Sequence, residues 1–107
     1  MPTYANTSYV AKNVGTSAST LTTVSSGTIA ITSLVVSNTT TSPITTDVYF
    51  TRSATDYYLV KAATIPVGGS LEVIGGNRVV LIDADALKVL TSAASSADVV
   101  VSVLTAV

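Results

Sequence analysis

The 107-residue sequence has no cysteine, no histidine and no tryptophan. Without histidine it lacks the usual general base at neutral pH and the commonest metal ligand. Without cysteine it has no thiolate nucleophile, no structural zinc site and no disulfide to hold the fold, and both redox compartments stay open. Charge is scarce too: 10% of residues are Asp, Glu, Lys or Arg, against roughly 25% in an average soluble protein. The cations Lys12, Arg52, Lys61, Arg78 and Lys88 are scattered singly, and the net charge is -1. Nucleic acid is gripped by clustered cations acting together, so neither it nor an anionic membrane surface is an expected partner. No apolar run approaches the roughly 18 residues of a spanning helix. Val79–Ile82 stops at Asp83, and Val99–Val101 at Ser102. The first twelve residues show neither the basic nor the apolar region of a signal peptide. The expectation is a soluble protein made in the cytosol.

What is abundant is β-forming. About three residues in ten are Ser or Thr, well above ordinary usage, and Val, Ile, Leu and Ala fill much of the rest. The stiff, β-branched side chains of Thr and Val suit a pleated strand better than a helix. Short apolar runs broken by turn residues every ten or so positions predict a sandwich or barrel. The expected strands are Ser8–Val14, Thr20–Val24, Thr28–Ser37, Ile44–Arg52, Tyr57–Lys61, Leu71–Ile74, Arg78–Ile82 and Asp98–Leu104. Ile44–Arg52 alternates cleanly, with Ile44, Thr46, Val48 and Phe50 on one face. Thr28–Ser37 is apolar on both faces, which predicts a central strand covered on both sides. The glycines at 68–69 and 75–76 can supply the positive φ of tight hairpin turns. Between Asp83 and Val107 two readings stand: a helix capped by Asp83 with Leu87, Leu90 and Ala94 on one face, or strands Ala86–Leu90 and Asp98–Leu104 around a loop. Consecutive valines favour the strands. The expected fold is all-β: one antiparallel β-sandwich domain over residues 1–107, jelly-roll or Ig-like, with about eight or nine strands and residues 1–7 as an extended N-terminal arm.

No chemical motif emerges. Serines are plentiful, but no Gly-x-Ser-x-Gly elbow or phosphate-cradling glycine loop occurs. Asp83-x-Asp85 is the one local carboxylate pair; calcium needs six to eight ligands, so the plainer reading is a solvated turn. Tyr57 and Tyr58, with Tyr49 on the preceding strand, are candidates for an aromatic contact patch. Adjacent strand residues point to opposite faces, so at most one of Tyr57 and Tyr58 joins it while the other enters the core. Catalytic residues, cofactors and metals are all expected to be absent. With so few charges, the outside must be covered by Thr, Ser and aliphatic side chains. Isolated soluble domains avoid large apolar patches, and burial against other copies or another protein is the common remedy.

Several segments carry a resemblance. Tyr9–Ser17, Val35–Thr40, Val48–Arg52 with Asp56–Lys61, Ile65–Leu71, Asp85–Val89 and Ser92–Val99 together resemble small virion proteins of tailed bacteriophages. The likeness covers most of the chain and is one of texture and segment order. It implies a β-sandwich that decorates or cements a capsid, or that builds neck, baseplate or fibre parts of a tail. It implies no catalytic residues. The partners it implies are the chain itself, as a homo-oligomer with a trimer as the candidate state, and virion proteins such as the major capsid protein. The location it implies is the virion, assembled in the host cytoplasm. Residues Pro2, Thr3 and Tyr4 of the arm are candidate clamps on a neighbour, because termini stay mobile unless tied down. A carbohydrate- or receptor-binding module using Tyr49, Tyr57 or Tyr58 is the reading from another class.

Overall fold

The computed structural model describes residues 4–25, 27–75 and 78–106. Among these the chain forms nine strands and no helix: β1 (Tyr4–Val14), β2 (Ser19–Thr23), β3 (Thr28–Asn38), β4 (Ile44–Arg52), β5 (Thr55–Ile65), β6 (Ser70–Glu72), β7 (Val79–Ile82), β8 (Ala86–Thr91) and β9 (Ala97–Ala106). They build two antiparallel sheets. Sheet A has the order β1-β9-β3-β6, with β7 also paired to β3; sheet B has the order β2-β8-β4-β5. Every connection passes from one sheet to the other except the β4–β5 hairpin and the β6–β7 break. That is the strand order of an eight-stranded jelly roll whose sixth strand is broken in two, β6 and β7. The Ig-like order is not adopted.

Alternation sets the core. Ile29, Ile31, Leu34 and Val36 of β3 and Val99, Val101 and Val103 of β9 point inward from sheet A. They meet Ile44 and Val48 of β4, Leu87 and Val89 of β8 and Leu21 of β2. Three expectations change. Residues 4–7, expected as an arm, pair with β9 from Tyr4↔Ala106 to Thr7↔Val103, so β1 begins at Tyr4; Pro2 and Thr3 lie outside the described residues. β6 and β7 do not form a hairpin with each other but follow one another along β3. β3 is central, yet within the chain only its inner face is covered. Residues 83–97 form a turn, β8 and a loop, not a helix.

Polar side chains close the two ends. At one end Asn38, 5% exposed, donates its amide to the carbonyls of Ser42 and Ile65 and accepts from the Thr40 amide and hydroxyl, locking the loop expected there. Beside it the Thr91 and Ser96 hydroxyls lie 2.6 Å apart and reach the Val14 carbonyl. At the other end Asp85, fully buried, accepts two hydrogen bonds from Arg52, at 2.9 and 2.6 Å, and one from the Ile82 amide. Asp85 is therefore no solvated turn residue. It pins the β7–β8 turn to the β4–β5 hairpin.

That hairpin turns on Ser53 and Ala54, with φ of 52° and 63° between paired Arg52 and Thr55. Two positive φ values in a two-residue loop make a type I′ turn, which favours Asn-Gly. Left-handed φ costs about 1–2 kcal/mol at a residue with a Cβ, partly offset by glycine's larger entropy loss. The double substitution Ser53→Asn, Ala54→Gly is expected to raise unfolding stability by about 1 kcal/mol in urea titration.

The ionic pins make stability depend on pH. Hydrogen bonding to Arg52, with help from the Ile82 amide, holds the Asp85 carboxyl below its ordinary range despite its burial. Burial would raise Glu72, but the amides of Leu34, Ile74 and Gly75 and the Ser33 hydroxyl hold it lower. Unfolded, both carboxyls titrate near pH 4, so on acidification the unfolded chain takes protons first. Their contribution is full above that range and is lost as pH falls through the lower folded values. Asp85→Asn is expected to cost about 2–4 kcal/mol at pH 7 and to flatten the acid limb of a stability-against-pH curve.

Candidate contact surface

The outward faces of the two sheets differ in kind. On sheet A the register aligns Val10 of β1 with Val100 of β9, and Val100 with Val35 of β3. Three valines thus cross three neighbouring strands in one row. A second row runs from Leu104 of β9 through Ala30 of β3 to Val80 of β7, with Ile82 beyond it. Val10 is 73% exposed, and Val80, Ile82 and Val100 are 50%, 43% and 48% exposed. Between the rows lies the Ser8–Ser102 pair. Lys12, Asp98 and Glu72 of this face sit at its margins and are engaged within the chain. Lys12 pairs with Asp98 at 3.5 Å. Glu72 accepts from the Ser33 hydroxyl and from the amides of Leu34 and Ile74, filling the gap where β6 gives way to β7.

Sheet B is charged outside. Asp47 and Tyr49 of β4, Lys88 of β8 and Tyr58 of β5 share its outer face. Lys61 lies 3.7 Å from the Asp47 carboxylate and 4.4 Å from the centre of the Tyr58 ring. Asp47 also accepts the Ala62 amide at 2.7 Å, satisfying a bulge in β5. Thr51 donates to Asp56 at 2.8 Å.

The three candidate tyrosines do not form one patch. Tyr49 and Tyr58 are paired across β4 and β5, with ring centres 5.0 Å apart. Tyr49 is only 7% exposed; burial, with Asp56, Tyr58 and Asp47 nearby, pushes its phenol up, so the group stays neutral. Tyr57 is on the opposite face, stacked on Phe50 at 5.4 Å, while the Arg52 guanidinium lies over that Phe50 ring at 5.2 Å. Neither Tyr57 nor Tyr58 enters the core: they are 49% and 44% exposed, because β5 is the edge of sheet B. Tyr4 of the candidate arm contacts belongs to β1.

A crevice of about 220 Å³ opens between the sheets near the Asp85 end, lined by Tyr9, Thr22, Val24, Thr28, Ile29 and Thr105 among others. Its polar groups there are hydroxyls. Among the described residues no three His, Cys, Asp or Glu gather as a metal site would require. The apolar rows of sheet A were not singled out in the sequence. Their signal is the run Val99-Val100-Val101: on a strand whose first and third residues are core, the second must face out.

No protein-family model matches this sequence, and no curated protein matches it. Solved structures share its fold along its whole length, two of them from large assemblies. A chain from the structure of Bacillus endospore appendages, described as disulfide-linked pili, aligns over 100% of this chain and 91% of its own, with a TM-score of 0.61 and 15% identity. A chain from the acid-stable capsid of Helicobacter pylori bacteriophage KHP30 aligns over 100% and 94%, with a TM-score of 0.51 and 13% identity. At these identities the likeness is one of fold.

The assignment of faces has a direct test. Val100→Lys, on the outer row, is expected to leave the chain folded, with no unpaired charge in its core. Val101→Lys, one residue on and fully buried, is expected to abolish folding, because an unpaired charge would enter the core. Circular dichroism and urea titration of the two variants separate them.

Proposed function

We propose that this chain is a structural subunit that assembles through protein–protein contacts into a virion or a surface filament, and that it is not an enzyme. The outer face of sheet A carries this reading: a row of three valines and a second apolar row, with charge only at the margins. A monomer gains nothing from holding that surface in water. The shared fold lends support, since one neighbour comes from pili and the other from a capsid.

Within that class the specific reading is a decoration or cement protein on a bacteriophage head. It would be a homo-oligomer, with a trimer as the candidate state, seated on the major capsid protein and assembled in the host cytoplasm. The chain's likeness to small virion proteins supports the head; a neck, baseplate or tail-fibre part is the alternative. A clamp by the N-terminal segment would fall to residues 1–3, since Tyr4 to Thr7 are engaged with β9. A carbohydrate- or receptor-binding role has one observation in its favour, the half-exposed ring of Tyr57. Tyr49 is buried and Tyr58 is covered by Lys61, which leaves little platform for a sugar.

Immunogold labelling of particles and filaments from the producing cells tests the reading. Regular label on a shell or filament is expected, with hundreds of copies per particle for a head protein and a few to a few dozen for a tail part. Label found only on free monomeric protein would overturn it. Because the chain has no cysteine, its own contacts hold no disulfide, and the assembly is expected to be unchanged by dithiothreitol in the same images.

A further inference from the structure

We infer that the outer face of sheet A packs face to face on the same face of a second copy, making a two-fold dimer, in place of the trimer named above, the unit from which any larger assembly is built. The inference rests on the assembly reading above and names the surface and the occupant.

Size is the first argument. Four strand positions about 4.8 Å apart and strands of about nine residues give a face roughly 20 by 30 Å, about 600 Å² in projection. Side-chain relief brings this close to the roughly 800 Å² per partner of a specific interface. Chemistry is the second. The centre offers Val10, Val35, Val100, Leu104 and Val80 and demands no charge from its partner, so an identical face satisfies it. An axis parallel to the strands, between β9 and β3, lays Val100 of each copy over Val35 of the other and Leu104 over Ala30. Two sheets stacked in this way reproduce the aligned packing of a sandwich, about 10 Å apart.

The strand edges are poorer routes. β5 carries two register shifts opposite β4. β2 has five residues and a shift of its own. The far edge of sheet A is broken between β6 and β7, and β1 shifts register between Ala11 and Val14. Bulges and breaks of this kind discourage edge-to-edge pairing. The outer face of sheet B, with Asp47, Asp56, Lys61 and Lys88, is solvated.

The absence of cysteine makes the test clean. Ser102→Cys places one thiol at the middle of the sheet A face, and Thr45→Cys places one on the outer face of sheet B. With a short flexible bis-maleimide, Ser102→Cys is expected to give mostly cross-linked dimer at micromolar protein and Thr45→Cys almost none. Sedimentation of the unmodified chain is expected to show a dimer, and Val100→Lys a folded monomer. A wild-type monomer at high micromolar concentration, or equal cross-linking from both faces, would sink the inference. One result separates the two proposals. If Ser102→Cys does not cross-link but Val100→Lys abolishes attachment to particles or filaments, the face binds a different protein. Self-packing is then wrong while the assembly reading survives.

Discussion

The register between β3 and β9 is the constraint on which the rest depends. These are the two central strands of sheet A, paired from Ile29↔Thr105 to Asn38↔Ala97. That pairing sends Ile31, Leu34, Val36, Val99, Val101 and Val103 inward together. It also sends Val35 and Val100 outward together. A slip of one residue would exchange the faces, but here both are apolar, so hydrophobicity alone would punish the slip weakly. Other features hold the register. The Thr32 hydroxyl donates to the Ser102 carbonyl at the bulge in β3, and Glu72 binds Ser33 and the Leu34 amide just beyond it. A polar group on an outer margin thus fixes which valines make the core.

The sequence made the strands legible where alternation or turn residues spoke clearly. Ile44–Arg52 matches β4 residue for residue, and Thr39–Pro43 is loop as its composition suggested, with Asn38 closing β3. Strand lengths were harder to read at the edges. β1 and β5 extend past their apolar stretches, through Tyr4–Thr7 and through Ala62–Ile65, because backbone pairing with β9 and β4 continues where side chains give no pattern. The broken sixth strand, β6 and β7, was illegible for a related reason. Gly75 has the positive φ of a turn, but whether the chain folds back there or resumes along β3 is decided by β3, some forty residues earlier.

The polar pins were hidden because their partners are distant in sequence. Arg52 and Asp85 are 33 residues apart, and each alone looks like an ordinary surface charge. Asn38 reads as a loop residue from its neighbours, but it is the last residue of β3, paired with Ala97. Its side chain reaches Ile65, 27 residues on, and is nearly buried there. The aromatic candidates show the opposite error of emphasis. Tyrosines draw attention as binding groups, yet Tyr49 is enclosed by Tyr58 and Lys88 on the outer face. The exposed apolar surface is built instead from valines too ordinary to stand out one at a time.

Scarcity of charge links these observations to function. Of the eleven charged residues, Arg52 and Asp85 are spent on an internal clamp and Glu72 on the β6–β7 gap. Lys12 and Asp98 neutralise each other at a margin. Asp47, Asp56, Lys61 and Lys88 all fall on the outer face of sheet B. The remaining two, Arg78 and Asp83, are exposed at either end of β7 on the margin of sheet A, which leaves no charge between Val10 and Val35 on one row or between Leu104 and Val80 on the other. In a solitary domain, one or two lysines in place of Val10 or Val100 would stabilise the solvated state at almost no structural cost, since those positions touch no core residue across the sheet. Uncharged residues there are what the proposed assembly asks of this surface. The two outer faces of one molecule thus differ in kind: that of sheet B carries charge, that of sheet A two apolar rows.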